Sequence, residues 1–169
     1  MLYFAYGSNL DWRQMKCRCR SARSVGRARL NGYRLDFTHE SSNRGCGVAD
    51  VIAQPSSIVW GVLYEIPDDY DVARLDASEG YHPGGPREGN TYERITLTVE
   101  QVDDAGTSVA PRAAQVYVIV RKQENCHPDR AYRDLIVNGG RFWNLPEDYV
   151  AQIAQVPLQE TAPALGDTV

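Results

Sequence analysis

No stretch of this 169-residue sequence approaches the ~20 consecutive apolar residues of a membrane-spanning helix, so no membrane partner is expected. Met1 leads straight into Leu-Tyr-Phe-Ala-Tyr, without the basic segment that precedes the apolar stretch of a secretory leader. Cysteine is scarce. Cys17, Cys19, Cys46 and Cys126 are too few and too irregularly spaced for a disulfide framework, and a reducing, cytoplasmic location is the expectation. Metal-ligand patterns are equally thin. Cys17-Arg18-Cys19 leaves one intervening residue where zinc-binding pairs leave about two to four, and Cys126-His127 is adjacent and far along the chain. No metal is therefore expected. A cysteine nucleophile is disfavoured too, since no activating motif surrounds Cys126 with His127, His82 or His39. Internal repeats and low-complexity linkers are absent, and the length suits one domain.

What the chain does contain is enough apolar material for a core. Hydrophobic residues make up 43%, with ten Tyr and three Trp, and a domain of this size buries roughly 70% of its unfolded surface. Tyrosine tips need polar partners, which suits either an ordinary aromatic core or a lined cavity. The net charge of −4 is unevenly spread. Eight basic residues (Arg13, Lys16, Arg18, Arg20, Arg23, Arg27, Arg29, Arg34) lie between positions 13 and 34 with no acidic one among them. Such a sector can attract an anionic small molecule or nucleic acid. No stacking aromatics recur through it and the whole chain is acidic, so a solvated basic face is the reading and no nucleic-acid partner is expected.

Residues 2–6 read as a buried strand broken by Gly7-Ser8-Asn9, with a short helix after a cap at Asn9 or Asp11. Arg27 to Thr38 reads as a hairpin bent at Asn31-Gly32. Strands follow at Gly47–Gln54 and Ile58–Ile66, split by Pro55-Ser56-Ser57. Pro67-Asp68-Asp69 opens a helix to about Ser78, which Gly80 stops. Tyr81 to Asn90 is a Gly- and Pro-rich loop, and the alternation in Tyr92–Val102 and Ala113–Arg121 predicts two further strands. Helices are expected from Asp129 to Asn138 and from Pro146 to Val156. The fold class is α+β: a small, mixed, mostly antiparallel barrel-like sheet with flanking helices. A single domain is expected over residues 1–156, with a frayed tail at 157–169.

Two places carry possible chemistry. The Gly7-Ser8-Asn9 turn at a strand end is either a plain turn or a seat where successive backbone N–H groups meet an anion. Glu79 stands at the C-terminal end of a helix, whose dipole disfavours negative charge there, and Asp76 lies one turn earlier on the same face. Both features suit a general base working near neutral pH; the alternative is a solvent-exposed carboxylate.

Together these stretches resemble the γ-glutamylcyclotransferase family. The resemblance is carried by Tyr3-Phe4-Ala5-Tyr6-Gly7-Ser8-Asn9-Leu10, Gly32-Tyr33-Arg34-Leu35-Asp36-Phe37, Val59-Trp60-Gly61-Val62-Leu63-Tyr64, Leu75-Asp76 with Glu79-Gly80, and Leu145-Pro146-Glu147-Asp148-Tyr149-Val150. It spans about residues 2–156. The resemblance implies a six-stranded barrel-like core and an enzyme that cyclises a small γ-glutamyl amide, releasing 5-oxoproline and a free amine without metal and with no cofactor. Glu79 matches the acid/base residue. Tyr6, Gly7, Ser8, Asn9 and Leu10 match the turn that holds the glutamyl end, and Tyr92 and Tyr117 match tyrosines of the pocket wall. The chain departs from the family in its longer Tyr81–Asn90 loop, which is expected to contact the part that leaves. The leaving amine and the oligomeric state stay open. A non-catalytic binding module on the same scaffold is the alternative, against which the joint presence of the turn and Glu79 argues.

Overall fold

A computed structural model describes residues 1–160 of the chain. Five strands, β1 (Leu2–Ala5), β2 (Arg23–Ser41), β3 (Cys46–Glu65), β4 (Tyr92–Val102) and β5 (Ser108–Ile119), close into a barrel in the order β1-β3-β2-β4-β5. All pairings are antiparallel except β1 with β5, which meets in parallel at Tyr3 opposite Gln115. Four helices flank the barrel: α1 (Trp12–Arg18), α2 (Asp69–Ser78), α3 (Arg130–Phe142) and α4 (Glu147–Ala154). A short 3-10 turn, Ser8–Leu10, follows β1. The expected α+β class with a mostly antiparallel barrel is what forms.

Three expectations about strands are corrected. Arg27 to Thr38 does not fold back on itself at Asn31-Gly32. Asn31 pairs with Ile58 and Tyr33 with Ala53, so β2 runs on while Gly32, at φ +79°, forms a bulge. Positive φ serves a bulge as well as a turn, and the neighbouring strand decides between them. Opposite that bulge, Gln54 to Ser57 leave the pairing register without ending β3; Pro55 is tolerated there because no ladder hydrogen bond is asked of it. The hairpin turn lies instead at residues 42–45, where Gly45 has φ +67°. Two long bent strands therefore stand where shorter ones were expected, and among the described residues the barrel has five strands, not six.

The helices start where their caps dictate. Asp11, Asp68 and Asp129 side chains accept from the backbone N–H groups of Gln14, Tyr70 and Tyr132. Helix α3 runs to Phe142, past the expected end at Asn138, because Gly139 and Gly140 let it press on its neighbours. A Cβ on Gly139 would lie 2.5 Å from the Leu10 carbonyl carbon. The core gathers Phe4, Leu10, Met15, Leu63, Ile66, Leu75 and Ile136, all fully buried. The expected tail at 157–169 begins docked, with the Gln159 amide donating to the Pro128 carbonyl at 2.9 Å; from residue 161 it lies outside the described residues.

Candidate active site

Strand β1 delivers the chain to the barrel mouth, and the Ser8–Leu10 turn caps it there. The first hydrogen bond of this turn runs from Leu10 N to Gly7 O. The amides of Gly7, Ser8 and Asn9 come before it, and a helical turn leaves such leading N–H groups unpaired. Ala49 Cβ on β3 would lie 3.2 Å from a Cβ on Gly7, so the turn is packed tightly onto the sheet.

Glu79 arrives from the opposite side at the end of α2. Tyr81 N donates to Asp76 O at 2.9 Å and Gly80 N to Ala77 O at 3.1 Å, with Gly80 at φ +63°. This paired closure is a Schellman motif, and it holds Glu79 at the cap. The Glu79 carboxylate then meets the turn: Asn9 Nδ2 donates to its Oε1 at 3.0 Å. Arg18 Nη1, from the last turn of α1, donates to the same Oε1 at 2.7 Å and to Asn9 Oδ1 at 2.9 Å. Among the described residues, no side chain donates to Oε2.

A narrow cavity of about 20 Å3 is lined by Tyr3, Tyr6, Gly7, Ser8, Asn9, Ala49, Glu79, Tyr92, Tyr117 and Tyr132. Its tyrosines are locked: Tyr6 OH donates to Tyr117 O (2.6 Å), Tyr92 OH to Ala49 O (2.7 Å) and Tyr117 OH to Asp76 (2.6 Å), while Tyr132 OH accepts from Ala49 N (3.1 Å). Burial pushes the hydroxyls of Tyr3, Tyr6, Tyr92 and Tyr132 above the ordinary tyrosine range. Burial and then the bond to Asp76 do the same for Tyr117. All five are neutral at physiological pH, and among the described residues Glu79 is the only carboxylate on the cavity wall.

The structure thus brings together seven of the eight residues singled out in the sequence: Tyr6, Gly7, Ser8, Asn9, Glu79, Tyr92 and Tyr117. Leu10 does not line the cavity. It closes the turn facing inward, is fully buried, and lies against Gly139 in the core; its carbonyl accepts from Trp143 Nε1 at 2.9 Å. Asp76 also differs from expectation. Its charge is met by Arg94 Nη1 at 3.0 Å and by Tyr117 OH, in a buried strut joining α2 to β4 and β5.

Arg18, Tyr3 and Tyr132 belong to the site without having been singled out. Arg18 was legible only as one of eight basic residues, and that sector is not a uniformly solvated face. Arg18, Arg27, Arg29 and Arg34 are ion-paired with Glu79, Asp104, Glu100 and Asp36. The Tyr81–Asn90 loop contributes none of its ten residues to the cavities beside Glu79; only Gly80 and Thr91, which bracket it, line them.

Among the described residues, no three His, Cys, Asp or Glu side chains cluster as metal ligands, and no helix is long and apolar enough to cross a membrane. Burial, then Asp71, pushes the Cys19 thiol up to about 12, and burial raises those of Cys46 and Cys126; thiols so held are poor nucleophiles.

A profile of the family described as "Gamma-glutamyl cyclotransferase, AIG2-like" matches residues 3–139. A gamma-glutamylcyclotransferase of Bos taurus is 28% identical over 159 residues, spanning 92% of this chain and 78% of the relative. One of Homo sapiens is 26% identical over the same shares. A solved structure of a gamma-glutamyl cyclotransferase superposes with a TM-score of 0.81 at 24% identity, over 99% of this chain and 94% of that one. With the profile spanning most of the barrel and α3 as well, the chain belongs to the gamma-glutamyl cyclotransferase, AIG2-like family.

Proposed function

We propose that this protein cyclises a γ-glutamyl amide, releasing 5-oxoproline and a free amine, with Glu79 as general base and then general acid. The observation that carries the reading is the meeting of the Glu79 carboxylate with the Gly7–Asn9 turn, 3.0 Å apart at Asn9. In this reading the turn's backbone amides and Tyr6 hold the glutamyl end, and Tyr92 and Tyr117 wall the folded chain of the substrate. Leu10 acts from beneath, as support for the turn.

Oε2 of Glu79 takes a proton from the substrate α-ammonium. The freed amine attacks the substrate's own γ-carbonyl carbon, and the amides of Gly7 and Ser8 stabilise the developing oxyanion. Protonated Glu79 then returns its proton to the leaving nitrogen as the C–N bond breaks. Holding the glutamyl chain folded is the main task, and such positioning supplies at most roughly 7–11 kcal/mol. The second proton, left on the ring nitrogen after attack, passes through the same carboxylate and ends on the released amine as its ammonium, so one group carries every proton and the scheme asks for no metal and no cofactor.

The test is 5-oxoproline release from a panel of γ-glutamyl amides before and after Glu79→Gln. Gln keeps size and hydrogen bonding but accepts no proton, so turnover falls by at least roughly 10²-fold while folding persists. Activity survives exhaustive chelation. Near-normal turnover by Glu79→Gln would sink the assignment, and loss of turnover with chelator, restored by added metal, would sink the metal-free scheme.

A further inference from the structure

A second chamber, about 130 Å3, opens beside Glu79 and shares Ser8, Glu79, Tyr92 and Tyr132 with the narrow cavity. Its outer wall is the tip of the β2–β3 hairpin, from Ser41 to Arg44, with His39 behind it. Glu79 is the one carboxylate on this wall, and Arg18 already meets it at 2.7 Å. Arg44 is left over. Among the described residues it forms no ion pair; its Nη2 donates to two neutral oxygens, Gln14 Oε1 at 3.0 Å and Ser8 Oγ at 3.4 Å. Its guanidinium lies 4.7 Å from the centre of the Tyr132 ring.

Stacking and these two bonds hold the group in place without answering its charge. A guanidinium has five N–H donors in a planar fork suited to a carboxylate, and Arg44 directs only Nη2 at protein acceptors. A half-buried cation so held, at the rim of a chamber with no other unanswered charge among the described residues, is suited to meet an anion. The chamber adjoins the narrow tyrosine-lined cavity through these four shared residues and is the larger of the two. If the glutamyl end occupies the turn, the group beyond the scissile amide enters this chamber.

We propose that Arg44 is a specificity-determining residue: it selects γ-glutamyl amides whose leaving amine bears a carboxylate, as an α-amino acid or a short peptide does. The assignment rests on the cyclisation reading for the direction in which the substrate lies. It places selection of the leaving group on the hairpin tip and not on the Tyr81–Asn90 loop.

The experiment compares γ-glutamylalanine with γ-glutamylalaninamide, which differ in that carboxylate alone. The wild-type protein is expected to favour the acid at least 10-fold in kcat/KM. Arg44→Gln brings the ratio to within about threefold of one, and Arg44→Lys retains part of it. The same pair of ligands is titrated into Glu79→Gln protein by calorimetry, where the Kd ratio is read without turnover. A wild-type ratio near one, or an equal loss on both ligands in Arg44→Gln, overturns the proposal; the latter result would put Arg44 on the glutamyl carboxylate shared by both. If Glu79→Gln stays active, the base assignment fails while the binding ratio still decides the role of Arg44. Failure of both ligands to bind Glu79→Gln protein also overturns it.

Discussion

Arg18 and Glu79 stand 61 residues apart in the chain and meet with Nη1 2.7 Å from Oε1. Asn9 donates to that same oxygen, so one oxygen of the carboxylate is held twice, and among the described residues no side chain donates to the other. A carboxylate held in this way has its orientation settled before substrate arrives. That matters for a proton acceptor, whose efficiency falls away once it leaves hydrogen-bond reach of the proton.

Arg18 is accordingly a positioning residue. Arg18→Gln is expected to lower kcat by roughly 10- to 100-fold, as misplacement of a catalytic group does, with KM changed less. Arg18→Lys restores part of kcat, because a cation near Oε1 returns without the fork. Steady-state kinetics on one γ-glutamyl amide reads the split; a rise in KM with unchanged kcat would assign Arg18 to substrate binding instead.

Asp76 is a strut, and its variant is a stability variant. Asp76→Asn removes the charge that Arg94 and Tyr117 both address in a buried setting. Hydrogen bonds to a charged group contribute about 1.5–3 kcal/mol, and a loss of that order is expected in urea unfolding. Residual turnover per folded molecule stays within an order of magnitude. An unchanged urea midpoint would contradict the strut.

Close packing under the turn makes Gly139 sensitive. Gly139→Ala gains about 1 kcal/mol of helix propensity, but its Cβ would stand 2.5–2.7 Å from the Leu10 and Asp11 backbone. Backbone atoms yield little, so overpacking of about 1–3 kcal/mol prevails and the turn shifts. Both the melting temperature and kcat/KM fall. At Gly140 the nearest atom is a Val150 methyl at 3.0 Å, which can move, so Gly140→Ala spares activity better. Equal behaviour of the two variants would refute the argument.

Acid stability has a named contributor. The Ser21 hydroxyl and amide both donate to Asp71, holding its carboxyl below the ordinary range. A group depressed on folding stabilises the protein above its unfolded value, near ~3.9, and that contribution is lost as pH falls through the lower folded value. The gap in melting temperature between wild type and Asp71→Asn is thus expected to be widest above about pH 5 and to close below about pH 4. A gap that persists unchanged at pH 3 would show that Asp71 acts by packing alone.

Much of the frame was legible in the sequence because its signals are local. The Asp caps, the run Leu2–Ala5 and the Gly80 stop each act within a few residues, and they suffice to put Glu79 at the end of α2. What lay beyond reach depended on partners far along the chain. Gly32 could have made a turn or a bulge, and pairing of Asn31 with Ile58 decided it. Gly139 could have ended α3, and the Leu10 backbone pressed against it shows why a glycine pair sits inside the helix instead. Arg18 read as one basic residue among eight, and only the approach of α2 to α1 made it the partner of Glu79. Backbone conformation answers to neighbouring residues, whereas the fate of a charge depends on which opposite charge the folded chain brings within about 4 Å, and that is settled by tertiary packing.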